Sequence, residues 1–326
     1  MHGEQLLFLC SSIVTRLING NRDPSVESIG RILVIKLDEI GDMIYTLHVL
    51  EALQEVYPDA QIDVLCRPMN KSLVESTGIQ NIITTGEIPS GRYDVVLDMR
   101  GNWSTMIRSL FRKCRFRYDR GSIRLKNKLA GGQKHERITN WEIAKPVLGA
   151  AKYRDPRLSC SQEETFELEG ILQDQGIKKG HYVVMHTGAR DPIRRWPAER
   201  FLELSKRLFE QKGLPTVICG GPEESKDIDA QFTDGYILNL AGKTSLRQLS
   251  ALCAGAKLFV GNESGPLHFA VINKTPLVAL FGAGVKDVFY PFHEDQVVLH
   301  RTELAIEDRL NAISIEDVWR ALPDHV

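Results

Sequence analysis

Short apolar runs alternate with segments of helical periodicity, and this alternation occurs twice along the chain. The first series begins with an apolar run at 31–36. It continues through a helix-like segment over 42–56 to strand-like runs at 61–66 and 94–98. Apolar strands that alternate with helices are typical of parallel sheets covered on both faces. The sequence therefore predicts an α/β fold whose first domain is Rossmann-like.

The same alternation restarts at 182–185 and predicts a second Rossmann-like domain. Its later predicted elements are a helix over 197–211, a strand at 216–219, a helix over 245–253, and strands at 258–260 and 277–281. Between the series, Pro156 and a polar run at 162–164 indicate a domain junction near residue 160. Open α/β sheets bind ligands at the carboxyl ends of their strands, so we expect a shared cleft between the two domains.

The composition is that of a soluble globular protein. The 326 residues suffice for two domains, with 43% hydrophobic and 25% charged residues. A formal net charge of −1 argues against a general nucleic-acid binder, so no nucleic-acid partner is expected. The six cysteines show no Cys-x-x-Cys spacing, which predicts reduced thiols in a cytoplasmic protein and signals neither a zinc site nor a disulfide framework.

The N-terminal extension, residues 1–28, carries apolar residues at helical spacing from Leu6 to Ile18. No apolar run approaches the length of about 18 residues that spans a bilayer, and Glu4 stands where a signal peptide has positive charge. The extension therefore predicts an amphipathic helix that packs on the first domain or lies on a membrane surface. Packing is favoured because Arg16 and Arg22 are its only basic residues.

The segment 261–268 follows an apolar run and precedes a helix-like segment. A strand that opens through small residues into a helix presents unpaired backbone N–H groups and the positive end of the helix dipole. This geometry predicts a phosphate site at Ser264 and Gly265, flanked by Glu263 and His268.

Directly after the first strand, three carboxylates lie within five residues that include Gly41: Asp38, Glu39 and Asp42. Like charges raise one another's pKa, which makes a proton acceptor plausible at this turn. We interpret Asp42 as the general base, ahead of Asp38 because Asp42 adjoins the glycine. The alternative is that Asp42 only caps the helix.

Two further turns predict nucleotide contacts. The loop 187–197 carries three arginines and could hold a diphosphate, or it could be a basic loop balanced by its own acids. The glycine turn at 220–224 could approach a ribose, although a surface turn is the default interpretation.

The stretch 107–128 holds nine basic residues against one acid, Asp119. The basic residues are Arg108, Arg112, Lys113, Arg115, Arg117, Arg120, Arg124, Lys126 and Lys128. So many positive charges repel one another unless an anion is nearby. A phosphorylated lipid or an anionic membrane surface suits this protein better as that anion than RNA does. A merely solvated face is the alternative.

Five motifs in this order resemble those of glycosyltransferase family 9, the ADP-heptose:lipopolysaccharide heptosyltransferases. The family's Gly-Asp, Asp-x-x-Gly-Asn, Lys-Arg-Trp-Pro-like, Gly-Gly-Pro-Glu and Asn-Asp-Ser-Gly-Pro-x-His motifs are matched by residues 41–42, 98–102, 194–197, 220–223 and 262–268. Three residues depart from the family pattern: Glu263 replaces Asp, Arg194 replaces Lys, and Arg190 replaces a small polar residue.

The resemblance implies a GT-B fold, α/β with two Rossmann-like domains whose parallel sheets face a central cleft. We expect an acceptor domain at 1–160, a nucleotide-sugar domain at 161–310, and a C-terminal helix within 311–326 that crosses back to the first domain. The expected donor and phosphate contacts are Arg194, Arg195, Thr187, Gly188, Ser264, Gly265, His268 and Glu263. The expected ribose or base contacts are Glu223 and Gly221, and the expected acceptor contacts are Asp38, Asn102, Arg100, Arg120 and Lys128.

The implied reaction is an inverting displacement in which Asp42 activates an acceptor hydroxyl and ADP departs. We expect no cofactor beyond the ADP-sugar donor and no metal, since no Asp-x-Asp pair is placed to hold one. The expected partners are an anionic glycolipid acceptor and, through peripheral contact, the cytoplasmic face of the inner membrane. The alternatives are a UDP-sugar donor with a non-lipid acceptor, and a catalytically silent nucleotide-sugar binder.

Overall fold

The computed structural model of the chain describes residues 2–20, 24, 28–84, 90–110, 113–225, 228, 234–283 and 286–326. It divides into two compact units. The first comprises Met1–Arg157 with Asp287–Phe289, and the second comprises Leu158–Lys286 with Tyr290–Val326. The division after Arg157 lies beside the junction that the sequence predicts near residue 160.

The first unit alternates strands and helices, and the strands predicted at 31–36, 61–66 and 94–98 are among its elements. Its described elements are α1 (His2–Asn19), β1 (Arg31–Lys36), α2 (Ile40–Ile44), α3 (Leu47–Val56), β2 (Gln61–Cys66), α4 (Lys71–Glu75), β3 (Asn81–Ile83), β4 (Tyr93–Asp98), α5 (Trp103–Leu110), β5 (Cys114–Asp119), α6 (Arg120–Leu129) and α7 (Glu136–Leu148).

The described strands of the first unit form a parallel sheet of order β3-β2-β1-β4-β5. Central strand β1 is shielded on both faces, and its residues Ile32 to Ile35 have no exposed surface. This burial explains the unbroken apolar run in the sequence. The strand order reverses between β1 and β4, where a doubly wound sheet opens a crevice at its carboxyl edge.

The predicted helix over 42–56 is two helices, with a break at Tyr45 and Thr46. The Asn140 amide donates to the Tyr45 carbonyl oxygen at 2.8 Å, and the Thr46 hydroxyl donates to the Asp42 carbonyl oxygen at 3.0 Å. These side chains take carbonyls that a continuous helix would use itself. The apolar periodicity runs through the break and gives no sign of it.

Helix α1 packs on the first unit, as the packing interpretation predicts. Leu7 and Phe8 are buried in a small cluster with Met106, against which Cys10 and Leu125 pack. At the other end of this contact, the Thr15 hydroxyl donates to Asp119 at 2.6 Å. Of the predicted extension 1–28, residues 1, 21–23 and 25–27 lie outside the described residues.

The second unit repeats the architecture. Its described elements are α8 (Gln162–Asp174), β6 (Val183–His186), α9 (Ala198–Lys212), β7 (Thr216–Ile218), β8 (Ile237–Asn239), α10 (Leu246–Ala254), β9 (Leu258–Asn262), α11 (Gly265–Ile272), β10 (Leu277–Phe281), α12 (Lys286–Phe289), whose last three residues group with the first unit, β11 (Gln296–His300) and α13 (Ile315–Arg320).

The described strands of this unit form a parallel sheet of order β11-β10-β9-β6-β7-β8. The order reverses between β9 and β6, so a second crevice position lies where His186 pairs in register with Gly261. Helix α9 begins at Ala198 with Pro197 as its N-cap residue, one position before the first-turn place that the sequence predicts for this proline.

The C-terminal helix α13 belongs to the second unit, where Val318 joins the core and Trp319 packs against it. The Trp196 indole donates to the Ile313 carbonyl oxygen at 2.8 Å, which holds the segment before this helix. That this helix crosses back to the first domain, as the resemblance implies, stays a prediction.

All six cysteines are free thiols, as the sequence predicts. In the part of the chain that the structure describes, no helix combines the length and the apolar character needed to cross a bilayer.

Candidate active site

A cavity of about 360 Å³ opens in the first unit. Its polar lining comes from Asp38, Asp42, Arg100, Asn102, Arg120 and Arg124, and its other lining residues are Gly101, Leu7, Phe8 and Phe289. Four of the five predicted acceptor contacts and the predicted base therefore lie around one cavity.

The topology explains this clustering. Asp38 follows β1 and Arg100 follows β4, and these are the neighbouring strands at which the sheet order reverses. Gly101 makes the turn between β4 and α5 with a φ of +61°, and its N–H donates to Asp98 at 2.9 Å. A Cβ at Gly101 would lie 2.7 Å from that of Arg120, so the turn requires glycine and brings Arg120 into the cavity.

Beneath the cavity lies a network of buried charges centred on Glu136. Its carboxylate accepts from Lys36 Nζ at 3.1 Å and from Arg120 at 2.7 Å, with Arg124 at 3.5 Å. Burial acts to raise the pKa of Glu136, but the three cations outweigh it and lower that pKa to about 2. Glu136 is therefore ionised and anchors the arginines that line the cavity.

Asp38 and Asp42 differ in their surroundings. Asp38 is buried and pairs with Lys36 at 3.2 Å, with Arg120 at 3.3 Å and with Arg100. The nearest recorded cation to Asp42 is Arg120, 3.7 Å away, and 18% of the Asp42 side chain is exposed. Asp42 is thus the cavity carboxylate with room to meet a ligand, whereas Asp38 is held by its partners.

The pKa of Asp42 is raised from 3.8 to about 6. Burial is the largest cause, and the charges of Asp38 and Glu136 raise it further, while Lys36 and Arg120 act in the opposite direction. A carboxylate with this pKa is ionised near neutrality and is more basic than an ordinary aspartate, which suits a general base.

The alternative that Asp42 only caps the helix is wrong. Helix α2 begins at Ile40 with Glu39 as its N-cap residue, and Asp42 lies in the first turn. The Glu39 carboxylate pairs with Arg67 and does not line the cavity.

Among the described residues, at least four of the nine basic residues in the stretch 107–128 form ion pairs within the first unit: Arg115, Arg117, Arg120 and Arg124. Arg117 is fully buried and pairs with Asp119 at 2.7 Å and Asp98 at 3.4 Å. Arg115 pairs with Asp94 at 3.2 Å. Together with the Glu136 contacts of Arg120 and Arg124, these pairs balance part of the positive charge of the stretch within the protein itself.

The other members of the stretch differ among themselves. Lys113, Lys126 and Lys128 are exposed, and Lys128, a predicted acceptor contact, lies in the last turn of α6 and does not line the cavity. Arg112 lies outside the described residues.

In the second unit, three polar side chains meet where the sheet order reverses. His186 ends β6, and its Nδ1 lies 2.7 Å from Ser264 Oγ. On the other side of the ring, Nε2 lies 3.3 Å from Glu224 Oε2. The predicted phosphate residue Ser264 therefore belongs to a Ser264–His186–Glu224 chain of hydrogen bonds.

In the glycine turn at 220–224, Glu224 joins this chain of hydrogen bonds, and the ribose contact expected of Glu223 stays a prediction. Glu223 is exposed, whereas the Glu224 carboxylate accepts from the Gly221 N–H at 2.8 Å. A Cβ at Gly188 or Gly220 would collide with the Glu224 carboxyl group. These glycines leave the space that Glu224 occupies.

The loop after β6 is tied to β9 by Asn262. The Asn262 amide donates to the carbonyl oxygens of Thr187 at 2.7 Å and Gly188 at 3.3 Å, and its oxygen accepts from the Trp196 N–H at 2.9 Å. The predicted phosphate contacts of this loop are thus held next to Ser264 in the fold.

The two predicted arginines of the loop differ in role. Arg194 lies 4.0 Å from Glu263 and is 40% exposed, so it can reach an anion. Arg195 donates through Nε to the Ala189 carbonyl oxygen at 2.7 Å and stabilises the loop itself.

Helix α11 begins at Gly265, and no side chain caps its N-terminus. Its first-turn N–H groups keep their capacity to bind an anion. His268, the other predicted residue of this turn, is buried one turn into the helix.

Four residues of these sites are not among the predicted contacts: Lys36, Glu136, His186 and Glu224. Lys36 and His186 each end a buried parallel strand, and a polar residue at that position points to the sheet edge where ligands bind. Glu136 and Glu224 carry no such signal. Within the described residues, no group of three or more His, Cys, Asp or Glu side chains is arranged to hold a metal ion.

Comparison with known proteins gives a consistent result. A family model described as glycosyltransferase family 9 (heptosyltransferase) matches residues 86–314. The lipopolysaccharide heptosyltransferase 3 of Escherichia coli is 27% identical over 290 residues, which cover 78% of this chain and 83% of that protein. The lipopolysaccharide heptosyltransferase 2 of Salmonella typhimurium is 28% identical over 305 residues, covering 82% of this chain and 87% of that protein.

Solved structures show the same fold. The ADP-heptose lipopolysaccharide heptosyltransferase II of E. coli matches with a TM-score of 0.70 at 23% identity, covering 89% of this chain and 97% of that one. A glycosyl transferase family 9 protein from Veillonella parvula matches with a TM-score of 0.73 at 21% identity, covering 91% and 97%. The predicted α/β fold with two parallel sheets is confirmed.

Proposed function

The chain belongs to glycosyltransferase family 9, and from that membership we propose that it transfers a heptose or similar sugar from an ADP-sugar to a lipopolysaccharide core or another glycolipid. It is a glycosyltransferase with the GT-B fold. The curated relatives are lipopolysaccharide heptosyltransferases, and their names support a heptose donor and a lipopolysaccharide acceptor.

The observation that carries the proposal is the cavity around Asp42. Its carboxyl group has a pKa raised to about 6 by burial and by neighbouring charges, and it faces a space lined by arginines. We assign Asp42 as the general base that takes the proton of an acceptor hydroxyl. The hydroxyl oxygen then attacks the anomeric carbon from the face opposite ADP, so the configuration inverts.

The acceptor is proposed to be anionic, because Arg100, Arg120 and Arg124 all line this cavity. Arg120 and Arg124 are held by Glu136, so their orientation is set before a ligand arrives. Guanidinium groups pair well with carboxylates and phosphates, which are the acidic groups that an acceptor of this class would offer.

The donor is proposed to bind in the second unit. The first-turn N–H groups of α11, the Ser264 hydroxyl and Arg194 surround one turn and suit a diphosphate. The same groups stabilise the negative charge that develops on ADP as it leaves. No metal is needed in this scheme, so EDTA should leave the rate unchanged, and dependence on added Mg²⁺ or Mn²⁺ would contradict it.

A thermal-shift comparison of ADP with UDP, followed by a transfer assay, tests the proposal. We expect ADP to stabilise the protein more than UDP does, and we expect ADP release from ADP-heptose only when a lipopolysaccharide-core acceptor is added. Preferential stabilisation by UDP would contradict the ADP-sugar donor. Binding of ADP-heptose without transfer or hydrolysis would identify a silent binder.

We also propose that α1 holds the enzyme at the cytoplasmic face of the inner membrane. Its outer face exposes Leu6, Leu9, Ile13 and Leu17, with exposed fractions of 55%, 50%, 50% and 78%. Arg16 is exposed and precedes Leu17 in the chain. Lys126 and Lys128 are also exposed and belong to α6, the helix that packs against α1. An apolar stripe with basic neighbours complements an anionic bilayer surface.

Flotation with vesicles tests the membrane contact. The protein should float with phosphatidylglycerol-containing vesicles and less with phosphatidylcholine alone, and a Leu9→Glu, Ile13→Glu double variant should bind about 10-fold more weakly. Phe166→Glu, which changes an exposed apolar residue of α8, is the matched control. Equal flotation of the double variant and wild type would contradict this assignment, and a concentration-dependent dimer lost in the double variant would indicate that the stripe binds a second copy.

A further inference from the structure

Ser264 occupies the N-cap position of α11, yet its side chain caps no backbone N–H. A serine at this position ordinarily accepts a hydrogen bond from an N–H two or three residues further on. Here Ser264 Oγ lies 2.7 Å from His186 Nδ1, and 3.1 Å from the Asn262 carbonyl oxygen. The histidine therefore decides what the Ser264 hydroxyl can do at the proposed diphosphate site.

The far side of the ring determines the tautomer. His186 Nε2 lies 3.3 Å from Glu224 Oε2, and an ionised carboxylate only accepts hydrogen bonds, so Nε2 carries a hydrogen. Burial acts to raise the pKa of Glu224, but His186, the Gly221 N–H and Arg195 outweigh it and the pKa lies below its usual value. In a neutral ring Nδ1 is then bare and accepts the Ser264 hydroxyl hydrogen.

While the ring is neutral, the Ser264 hydroxyl has no hydrogen to offer an anion. With its hydrogen committed to Nδ1, Ser264 presents only lone pairs to a ligand at the N-terminus of α11. If Nδ1 gains a proton, it donates to Ser264 Oγ, and the hydroxyl hydrogen can then bond a phosphate oxygen in place of the Asn262 carbonyl oxygen, the other acceptor within reach at 3.1 Å. One proton from solvent forms an N–H bond at Nδ1 and so adds a donor and a positive charge, and no bond between heavy atoms changes.

We propose that His186 is a positioning residue that takes up one proton when a diphosphate binds beside Ser264. Ser264 then donates to the diphosphate, and Glu224 supplies the negative charge that stabilises the imidazolium ring. This inference rests on the proposed function, which places the donor diphosphate at this turn. It adds that donor binding and protonation of His186 favour each other.

The surroundings of the ring are suited to this exchange. His186 is 3% exposed, so its partners are protein groups, and the glycines at 188 and 220 leave room for the Glu224 carboxyl group. The charged and titratable groups recorded around the chain of hydrogen bonds are Glu224 and Arg195, the buried Cys219 thiol next to Glu224, and the Arg194–Glu263 pair beside Ser264.

Calorimetry in buffers of different ionisation enthalpy measures the proton directly. ADP-glucose is the probe, because its diphosphate is esterified at both ends and has no ionisation of its own near neutral pH. We expect wild type to take up protons when it binds ADP-glucose, by up to one per molecule, over the pH range in which the unliganded ring is neutral. Its affinity should rise as the pH falls, by at most about tenfold per pH unit.

Three variants separate this role from a structural one. Ser264→Ala should lose the proton uptake and bind ADP-glucose about 10-fold more weakly, whereas Ser264→Thr keeps the hydroxyl and should retain the uptake. Glu224→Gln still accepts from Nε2 but lacks the counter-charge, so its uptake should fall. His181→Asn, at an exposed histidine, is the matched control and should behave as wild type.

The possible outcomes test the role of His186 separately from the proposed donor site. The role of His186 is overturned if wild type binds ADP-glucose without taking up protons, or if Ser264→Ala takes up as many protons as wild type. Either result leaves the proposed donor site unaffected. Failure of wild type to bind either ADP or ADP-glucose overturns the proposed donor site and this inference with it.

Discussion

Replacement of Arg120 by Gln should move the acid limb of the pH–activity profile to higher pH. Arg120 lies 3.7 Å from the Asp42 carboxylate, and its charge favours the ionised form of that group. Without the guanidinium, Asp42 holds its proton more tightly. As the pH falls, the variant should therefore lose activity at a higher pH than wild type does, because Asp42 becomes protonated sooner.

The size of the shift follows from Coulomb's law. Unit charges at 3.7 Å interact by about 1 kcal/mol in bulk water and by about 4 kcal/mol at an effective dielectric constant near 20, which is about 0.8 to 3 pKa units. The lower end applies, because Asp42 is partly exposed and Arg120 shares its charge with Asp38 and Glu136. We expect the midpoint to move from about 6 to about 7.

The assay is kcat/KM for the acceptor between pH 5 and 8, from ADP release measured by chromatography. This ratio reports ionisations of the free enzyme, and its midpoint does not depend on how much of the variant is folded. Arg120→Lys keeps a cation and is the control, with a midpoint close to wild type. A wild-type profile without an acid limb near pH 6, or the same midpoint in Arg120→Gln, would refute the reasoning.

Three other substitutions test separate parts of the structure. Asp42→Asn should lower kcat by about 10²–10⁴ with unchanged ADP affinity, and activity within a few-fold of wild type would shift the role to Asp38. Arg194→Ala should weaken ADP binding about 10-fold or more as well as turnover, and an unchanged affinity by calorimetry would show that the phosphate site lies elsewhere. Gly101→Ala should destabilise the protein by about 1–2 kcal/mol or more in urea unfolding, because a Cβ at this positive φ meets Arg120, and an unchanged midpoint would mean that the turn relaxes freely.

The sequence predicted the inner strands β1, β2, β4, β6, β7, β9 and β10, because burial on both faces leaves an unbroken apolar run, and it missed the edge strands β3, β5, β8 and β11. Strands β1 and β10 have the predicted bounds, and β9 extends two residues beyond its predicted end. It predicted the helix over 42–56 as one element, since the break depends on Asn140, a residue about 95 positions away in the chain. Local patterns carry no information about such a partner.

Whether a site residue could be predicted also depends on whether its position follows from the local pattern or from distant contacts. Asp42 and Ser264 stand at the turns after parallel strands, and that position can be read from the alternation of elements. Glu136 begins a helix, and only the fold brings it beneath Lys36 and Arg120. Likewise, only the fold places the Glu224 carboxyl group against His186.

By itself, the amino-acid order determined the α/β class, the two sheets and the turns that carry the candidate chemistry, because each depends on patterns within a few residues. Tertiary structure alone decided the ionisation of the candidate groups. The raised pKa of Asp42, the anchoring of Arg120 and the hydrogen bond that occupies Ser264 all arise from charges and burial supplied by residues far away in the chain. Electrostatic energy depends on distance in space and on the exclusion of water, and neither is encoded in local sequence.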